Sequence, residues 1–132
     1  MVTDRISDTL TRIRNANVVK HKMVQIPLTK ISVSILGILK EEGFIKKLER
    51  FKKNDKHYLL VSLKYIGKAK KPVICHLKRV SKPGLRVYVN SKTLPIVLNN
   101  LGIAILSTPQ GIMTNLRAQN RGIGGEVLCY IW

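Results

Sequence analysis

The chain has 132 residues and a mass of 14.9 kDa, with 24 Lys and Arg against 7 Asp and Glu, for a formal net charge of +17. That length holds one domain or two very small ones, and a hydrophobic content of 45% supplies a core, which excludes a disordered chain. No run approaches 18 uninterrupted apolar residues, which excludes a membrane-spanning helix, and the charge favours a polyanionic partner over an acidic or neutral one.

Residues 4–16 place Ile6, Leu10 and Ile13 at helical spacing behind Thr3 as the N-cap, with Asp4 in the first turn. Arg12 and Arg14 leave the end of that helix near Asn15, a candidate phosphate grip. Met23–Ile26 reads as a short strand before Pro27. Thr29 then caps a helix from Lys30 to Glu42 that stops at Gly43, with apolar residues on more than one face and so sandwiched in a core. Phe44–Phe51 and His57–Tyr65 form a hairpin around a turn at Asn54-Asp55, with Leu59, Val61, Leu63 and Tyr65 on one strand face. The first half is therefore αβαββ, with its helices on one side of a small sheet.

Gly67–Pro72 is polar, basic and free of apolar anchors, which marks a boundary between an N-terminal subdomain, 1–66, and a C-terminal one, 67–132. Val73–Val80 reads as a strand, Ser81–Gly84 as a turn, and Leu85–Val89 as the returning strand. Leu94, Val97, Leu98 and Leu101 have the stripe of a short helix, with Ser91 as its cap and Gly102 as its end. Ile103–Leu106 and Glu126–Ile131 read as strands, separated by a Gly/Ser/Thr-rich stretch with a short helix near 115–120. The fold expected is α+β: an N-terminal αβαββ unit packed against a mainly β C-terminal unit with one or two short helices. Cys75 and Cys129, 54 residues apart and each in an apolar strand pattern, read as two reduced core thiols; they cannot supply a zinc site, and no metal or cofactor is expected.

Charge is spread unevenly by sign. Residues 1–66 carry 14 basic and 6 acidic side chains, and residues 67–132 carry 10 basic and one acidic, Glu126. A second half nearly free of carboxylates leaves its cations available for phosphate and offers no acid–base pair. His21, His57 and His76 are scattered, and no nucleophilic motif is present, so no enzyme activity and no small-molecule substrate are expected.

Three segments can carry recognition. The loop Ser107-Thr108-Pro109-Gln110-Gly111 leaves an apolar strand with hydroxyls suited to sugar, base edges or phosphate, or serves only as a turn. The glycines of Gly122-Ile123-Gly124-Gly125-Glu126 either aim backbone amides at a phosphate or base edge, or serve a tight strand entry. Arg79, Lys82 and Arg86 surround one hairpin, with Tyr88 sharing a strand face with Arg86; a guanidinium beside an aromatic ring suits an unpaired base, and a merely solvated basic hairpin is the alternative.

The segments Asp8–Ala16, Leu39–Ile45, Arg79-Val-Ser-Lys-Pro-Gly-Leu-Arg-Val-Tyr88, Leu101–Thr108, Gly111–Thr114 and Gly124–Tyr130, in register across the whole chain, resemble the small-subunit ribosomal protein S8 family, and Cys129–Trp132 resembles its plastid and bacterial members. The resemblance implies a structural constituent of the small ribosomal subunit. It would bind an irregular stem in the central domain of small-subunit rRNA chiefly through its C-terminal half, beside neighbouring small-subunit ribosomal proteins. It implies RNA contacts at Ser107, Thr108, Gly111, Gly124, Gly125 and Glu126, to which the residue reading adds Arg79, Lys82, Arg86, Tyr88, Arg12, Arg14, Asn15 and Lys30. Pro109 departs from the family, where a second Ser is usual, and Asn115 stands where an Asp is common. A free-standing RNA- or DNA-binding regulator is the alternative, and an RNA-modifying enzyme the more distant one. The N-terminus lacks a secretory or transit segment, so the expected location is a ribosome in the compartment of synthesis, plastid stroma or bacterial cytoplasm, with the Lys, Ile and Asn richness leaning to the plastid.

Overall fold

The computed structural model describes residues 4–132, so Thr3, expected to cap the first helix, lies outside the described residues. The backbone gathers into two compact units: Arg5–Cys75, and His76–Trp132 together with Asp4.

In the first unit, α1 (Arg5–Val18) buries Ile6, Leu10, Ile13 and Ala16 on one face and runs two residues past its expected end. β1 (Met23–Pro27) follows, then α2 (Lys30–Glu41). Thr29 Oγ1 accepts the Ser32 N–H at 3.0 Å while Ser32 Oγ accepts the Thr29 N–H at 2.8 Å, a reciprocal cap that fixes the start of α2. Gly43 takes a φ of +80° just past its end. α2 buries Ile35, Leu36 and Leu39 completely, while Ile31, Val33 and Ile38 stay half-buried. β2 (Ile45–Lys53) and β3 (Lys56–Leu63) join through Asn54 and Asp55, at φ +50° and +62°, the mirror-image turn that matches strand twist. The antiparallel order is β1-β3-β2. Leu59, Val61 and Leu63 are buried as expected. Tyr65 is not on that strand: the backbone breaks at exposed Lys64, and β4 (Tyr65–Ile66) pairs with β5 (Lys71–Pro72) in a small ribbon. The Gly67–Pro72 segment, read above as a boundary, forms the turn and return of this ribbon.

The second unit is a sheet centred on β10 (Gly125–Ile131), with β6 (Leu77–Arg79) and β7 (Tyr88–Val89) on one side and β8 (Ile103–Thr108) and β9 (Gly111–Thr114) on the other. The strand expected over Val73–Val80 shrinks to β6. The strand expected over Leu85–Val89 shrinks to β7, and it pairs not with its predecessor but with β10, Gly125 opposite Val89 and Glu126 opposite Tyr88. One face packs Val97, Ala104, Leu106 and Val127 with Val80, Val87, Val89, Leu94, Tyr130 and Trp132. α3 (Asn115–Arg121) is capped by Thr114, whose hydroxyl accepts the Arg117 N–H at 3.2 Å, and ends at Gly122 with φ +65°. Buried Asn115 accepts the Ala104 N–H at 3.1 Å and donates to Pro95 O at 2.9 Å. An ionised carboxylate could not make the second bond, which accounts for an amide at this position.

The helix expected over Leu94–Leu101 does not form. Only a 3-10 turn, Leu98–Asn100, is present; Leu98 and Asn99 adopt left-handed φ of +45° and +51°, and Leu98 and Leu101 are 54% and 82% exposed. The apolar spacing there is a coincidence of composition, since only Val97 and Leu94 reach the core.

Cys129 is fully buried, but Cys75 lies in irregular chain and is exposed, which corrects the reading of two core thiols. Burial pushes the Cys129 thiol up to about 12, the nearby Arg79 charge offsetting part of the effect. In the native protein at neutral pH a thiol reagent is therefore expected to label Cys75 fast and Cys129 only after unfolding. The raised value favours the protonated form in the fold, so its contribution is complete below pH 9 and is lost as pH climbs from 9 towards 12, at about 1.4 kcal/mol per unit. Equal labelling rates for both cysteines would contradict this.

Candidate nucleic-acid interface

Strand register assembles most of the candidate residues of the second unit. Tyr88 lies opposite Glu126, Glu126 opposite Ser107, and Ser107 opposite Ile112, so four strands present one row, Tyr88–Glu126–Ser107–Ile112, on the same sheet face. Tyr88 is 69% exposed, and its ring is free to stack. Above the row, Arg86 Nη1 donates to Glu126 Oε2 at 3.1 Å. Glu126 therefore holds the Arg86 guanidinium over the sheet face that also carries Tyr88. Arg86 itself is not on a strand, and it reaches Glu126 from the loop.

That loop, Lys82–Arg86, is an excursion between β6 and β7 with a closed neck. Fully buried Ser81 accepts the Val87 N–H at 2.8 Å and donates to Val87 O at 3.3 Å. Lys82 and Leu85 exchange backbone hydrogen bonds of 2.9 Å around Pro83-Gly84. The result projects exposed Lys82 and Arg86 on a short, preorganised hairpin.

Ser107 and Thr108 lie in strand β8, not in a loop. The turn is only Pro109-Gln110, where Pro suits the second turn position, and it leads into β9, which the sequence reading missed. Thr108 Oγ1 donates to Gly111 O at 2.7 Å and accepts the Gln110 N–H at 3.2 Å, so its hydroxyl closes the turn. Gln110 Oε1 in turn accepts from Arg121 Nη1 at 2.9 Å, bringing a cation from α3 to the site. Nothing in the spacing of Gln110 and Arg121 announces that pair.

Gly124 and Gly125 serve close approach of backbone. A Cβ on Gly125 would strike Ser107 O, and one on Gly124 would strike Val89 O and sit 2.6 Å from Asn90 Cα. Gly111 holds a φ of +112° with open space around it, so backbone conformation requires glycine there. Arg79 is spent inside the unit: its side chain is 9% exposed, its Nε donates to Asp4 Oδ2 at 3.2 Å and its Nη1 to Leu128 O at 2.6 Å.

Arg12, Arg14, Asn15 and Lys30 belong to the first unit, all exposed. Arg12 pairs with Asp8 at 3.1 Å and donates to Gln25 O at 3.4 Å, while Lys30 opens α2. Among the described residues no cluster of three metal-ligating side chains occurs, and no helix is long and apolar enough to cross a membrane.

The family model for ribosomal protein S8 matches residues 4–132. The chain is 67% identical to the small ribosomal subunit protein uS8c of Phaeodactylum tricornutum over 132 residues, all of both chains. It is 58% identical to the uS8c of Gracilaria tenuistipitata var. liui, again over the full length of both. To the small ribosomal subunit protein uS8 of Nostoc punctiforme it is 57% identical over 129 residues, covering 98% of this chain and 97% of that one. With the family model matched over nearly the whole chain and full-length relatives at this identity, the chain belongs to the ribosomal protein S8 family.

Proposed function

We propose that this chain is a structural constituent of the small ribosomal subunit in plastids and that its C-terminal half, residues 67–132, reads an irregular stem in the central domain of small-subunit rRNA. The observation that carries the reading is the Arg86–Glu126 ion pair set in the row with Tyr88 and Ser107. A planar cation beside an exposed ring accepts an unstacked base, and Ser107 offers a hydroxyl to the same nucleotide or its 2′-OH. Lys82 supplies phosphate affinity without sequence information. Gly111, Gly124, Gly125, Thr108 and Arg79 act by building the surface; Arg12, Arg14, Asn15 and Lys30 are assigned backbone contacts elsewhere on the RNA, and other small-subunit proteins dock alongside. The family works by binding and assembly, and the chain is assigned no catalytic step.

The test is a titration against a central-domain rRNA fragment, with a plain RNA duplex as competitor, over several salt concentrations. The fragment is expected to win by about 100-fold, with most of that margin surviving rising salt. Equal binding that collapses with salt for both RNAs would reduce the activity to that of charge alone and favour a general RNA- or DNA-binding regulator.

A further inference from the structure

The turn at Pro109-Gln110 and the last turn of α3 meet at one pair of exposed side chains, where Gln110 Oε1 accepts from Arg121 Nη1 at 2.9 Å. The pair joins two pieces that are each held elsewhere. Thr108 Oγ1 holds the turn from inside, donating to Gly111 O at 2.7 Å and accepting the Gln110 N–H at 3.2 Å, so the backbone under Gln110 is set. α3 is anchored by buried Asn115 and Ala118 and stopped by left-handed Gly122, whose N–H reaches Ala118 O and Gln119 O. Arg121 is the last residue of that helix.

A glutamine amide offers an acceptor at one atom and two donors at the other, and on a free side chain either can face outward. An arginine carries donors only, so the atom that meets it has to be the oxygen. Arg121 therefore decides which end of the Gln110 amide is spent inside the protein. The carbonyl is occupied, and the two hydrogens on Nε2 are left for a ligand. The guanidinium keeps further N–H groups of its own. No carboxylate pairs with Arg121 among the described residues, and Glu126, the one acidic side chain after Asp55, is taken by Arg86. What results is a surface element that donates and does not accept. The space beside it is open: nothing lies within 4 Å of a Cβ at Gly111. Both partners can bond water instead, so breaking the pair costs the fold little and changes chiefly the orientation of the amide.

We propose, on the reading of residues 67–132 as the RNA-binding half, that Arg121 is a positioning residue for base selection: it acts through Gln110 to make this turn read an acceptor. Base carbonyls and ring nitrogens are the acceptors that a donor-only turn takes, and exocyclic amino groups, being donors, are turned away. An amide free to flip would accommodate either. Phosphate oxygens also accept, but they are alike at every nucleotide and add affinity without selection.

The experiment is a competition titration of a central-domain rRNA fragment against a plain RNA duplex. Arg121→Gln releases the amide and is expected to lower the preference for the fragment by about fivefold to tenfold. Arg117→Gln, on the same helix and with the same loss of charge, should weaken both RNAs alike and leave the preference unchanged. Arg121→Lys still places a donor on the Gln110 carbonyl and should restore most of it. Gln110→Glu keeps a partner for Arg121 but has no N–H to donate, so its preference should fall as that of Arg121→Gln does, while both melt like the parent. In the free protein, NMR relaxation should find the Gln110 side-chain amide ordered in the parent and in Arg121→Lys, and mobile in Arg121→Gln. Equal losses on both RNAs from Arg121→Gln would make Arg121 a phosphate contact only and overturn the proposal, as would an unchanged preference in Gln110→Glu. A parent without preference for the fragment overturns the reading of the RNA-binding half and this role with it; a parent that keeps its preference beside an Arg121→Gln that does too overturns this role alone.

Discussion

Gly125→Ala is expected to destabilise the protein by about 3 kcal/mol and lower the melting temperature by roughly 10 °C. The added methyl would strike Ser107 O and come within 3.0 Å of Ser107 C and 3.1 Å of Thr108 Cα. These are backbone atoms of a paired strand and cannot swing aside as a side-chain tip would. β8 and β10 must separate at the point where Glu126 meets Ser107, so the loss should appear in RNA selection as well as in melting. Gly84→Ala is the control: nothing lies within 4 Å of its Cβ position, and that variant should melt almost like the parent. A thermal scan in which the two variants behave alike would show that the strand approach is not tight.

The second large effect concerns recognition. Glu126→Gln keeps the shape of the side chain but removes the charge that holds Arg86 at 3.1 Å. With a partly exposed arginine the pair adds little to stability, but freeing the guanidinium removes the preorganisation of the Tyr88 site. Affinity for the central-domain fragment should fall by about 1–3 kcal/mol, while duplex binding holds or rises slightly because the variant is more positive. A competition titration decides it: equal losses on both RNAs would mean that Glu126 supports the fold and not the selection.

The αβαββ half was legible because its information is local. The Thr29 cap, the Gly43 stop and the Asn54-Asp55 turn are each written within a few residues, and helix and strand periodicities fall on faces that are in fact buried. The second half depends on pairings over long separations, which periodicity does not report. Leu85–Val89 has strand composition, yet its partner is β10 about 40 residues on, and the chain between Ser81 and Val87 leaves the sheet. The stripe at Leu94–Leu101 fails as a helix because Leu98 and Asn99 turn left-handed, so that Leu94 and Val97 pack on the core while Leu98 and Leu101 point to solvent. Ser107 and Thr108 look like a loop because hydroxyls follow an apolar run, but β9 supplies the missing partner. The candidate site was thus legible as a list of residues. Which of them touch could not be read: Arg86 and Glu126 are 40 positions apart, and Arg79 looks as available as Arg86 until Asp4 and Leu128 claim it.

The closed neck at Ser81 also bears on how such a surface changes over generations. One buried hydroxyl fixes the separation of the two ends of the excursion, so β6, β7 and β10 are insulated from whatever lies between residues 82 and 86. Lengthening the excursion costs only the slow logarithmic penalty of a longer flexible segment, about 0.6 kcal/mol per doubling. Tips of different length and charge can therefore be tried on an unchanged sheet, so what this surface meets can change by rewriting five residues rather than the fold.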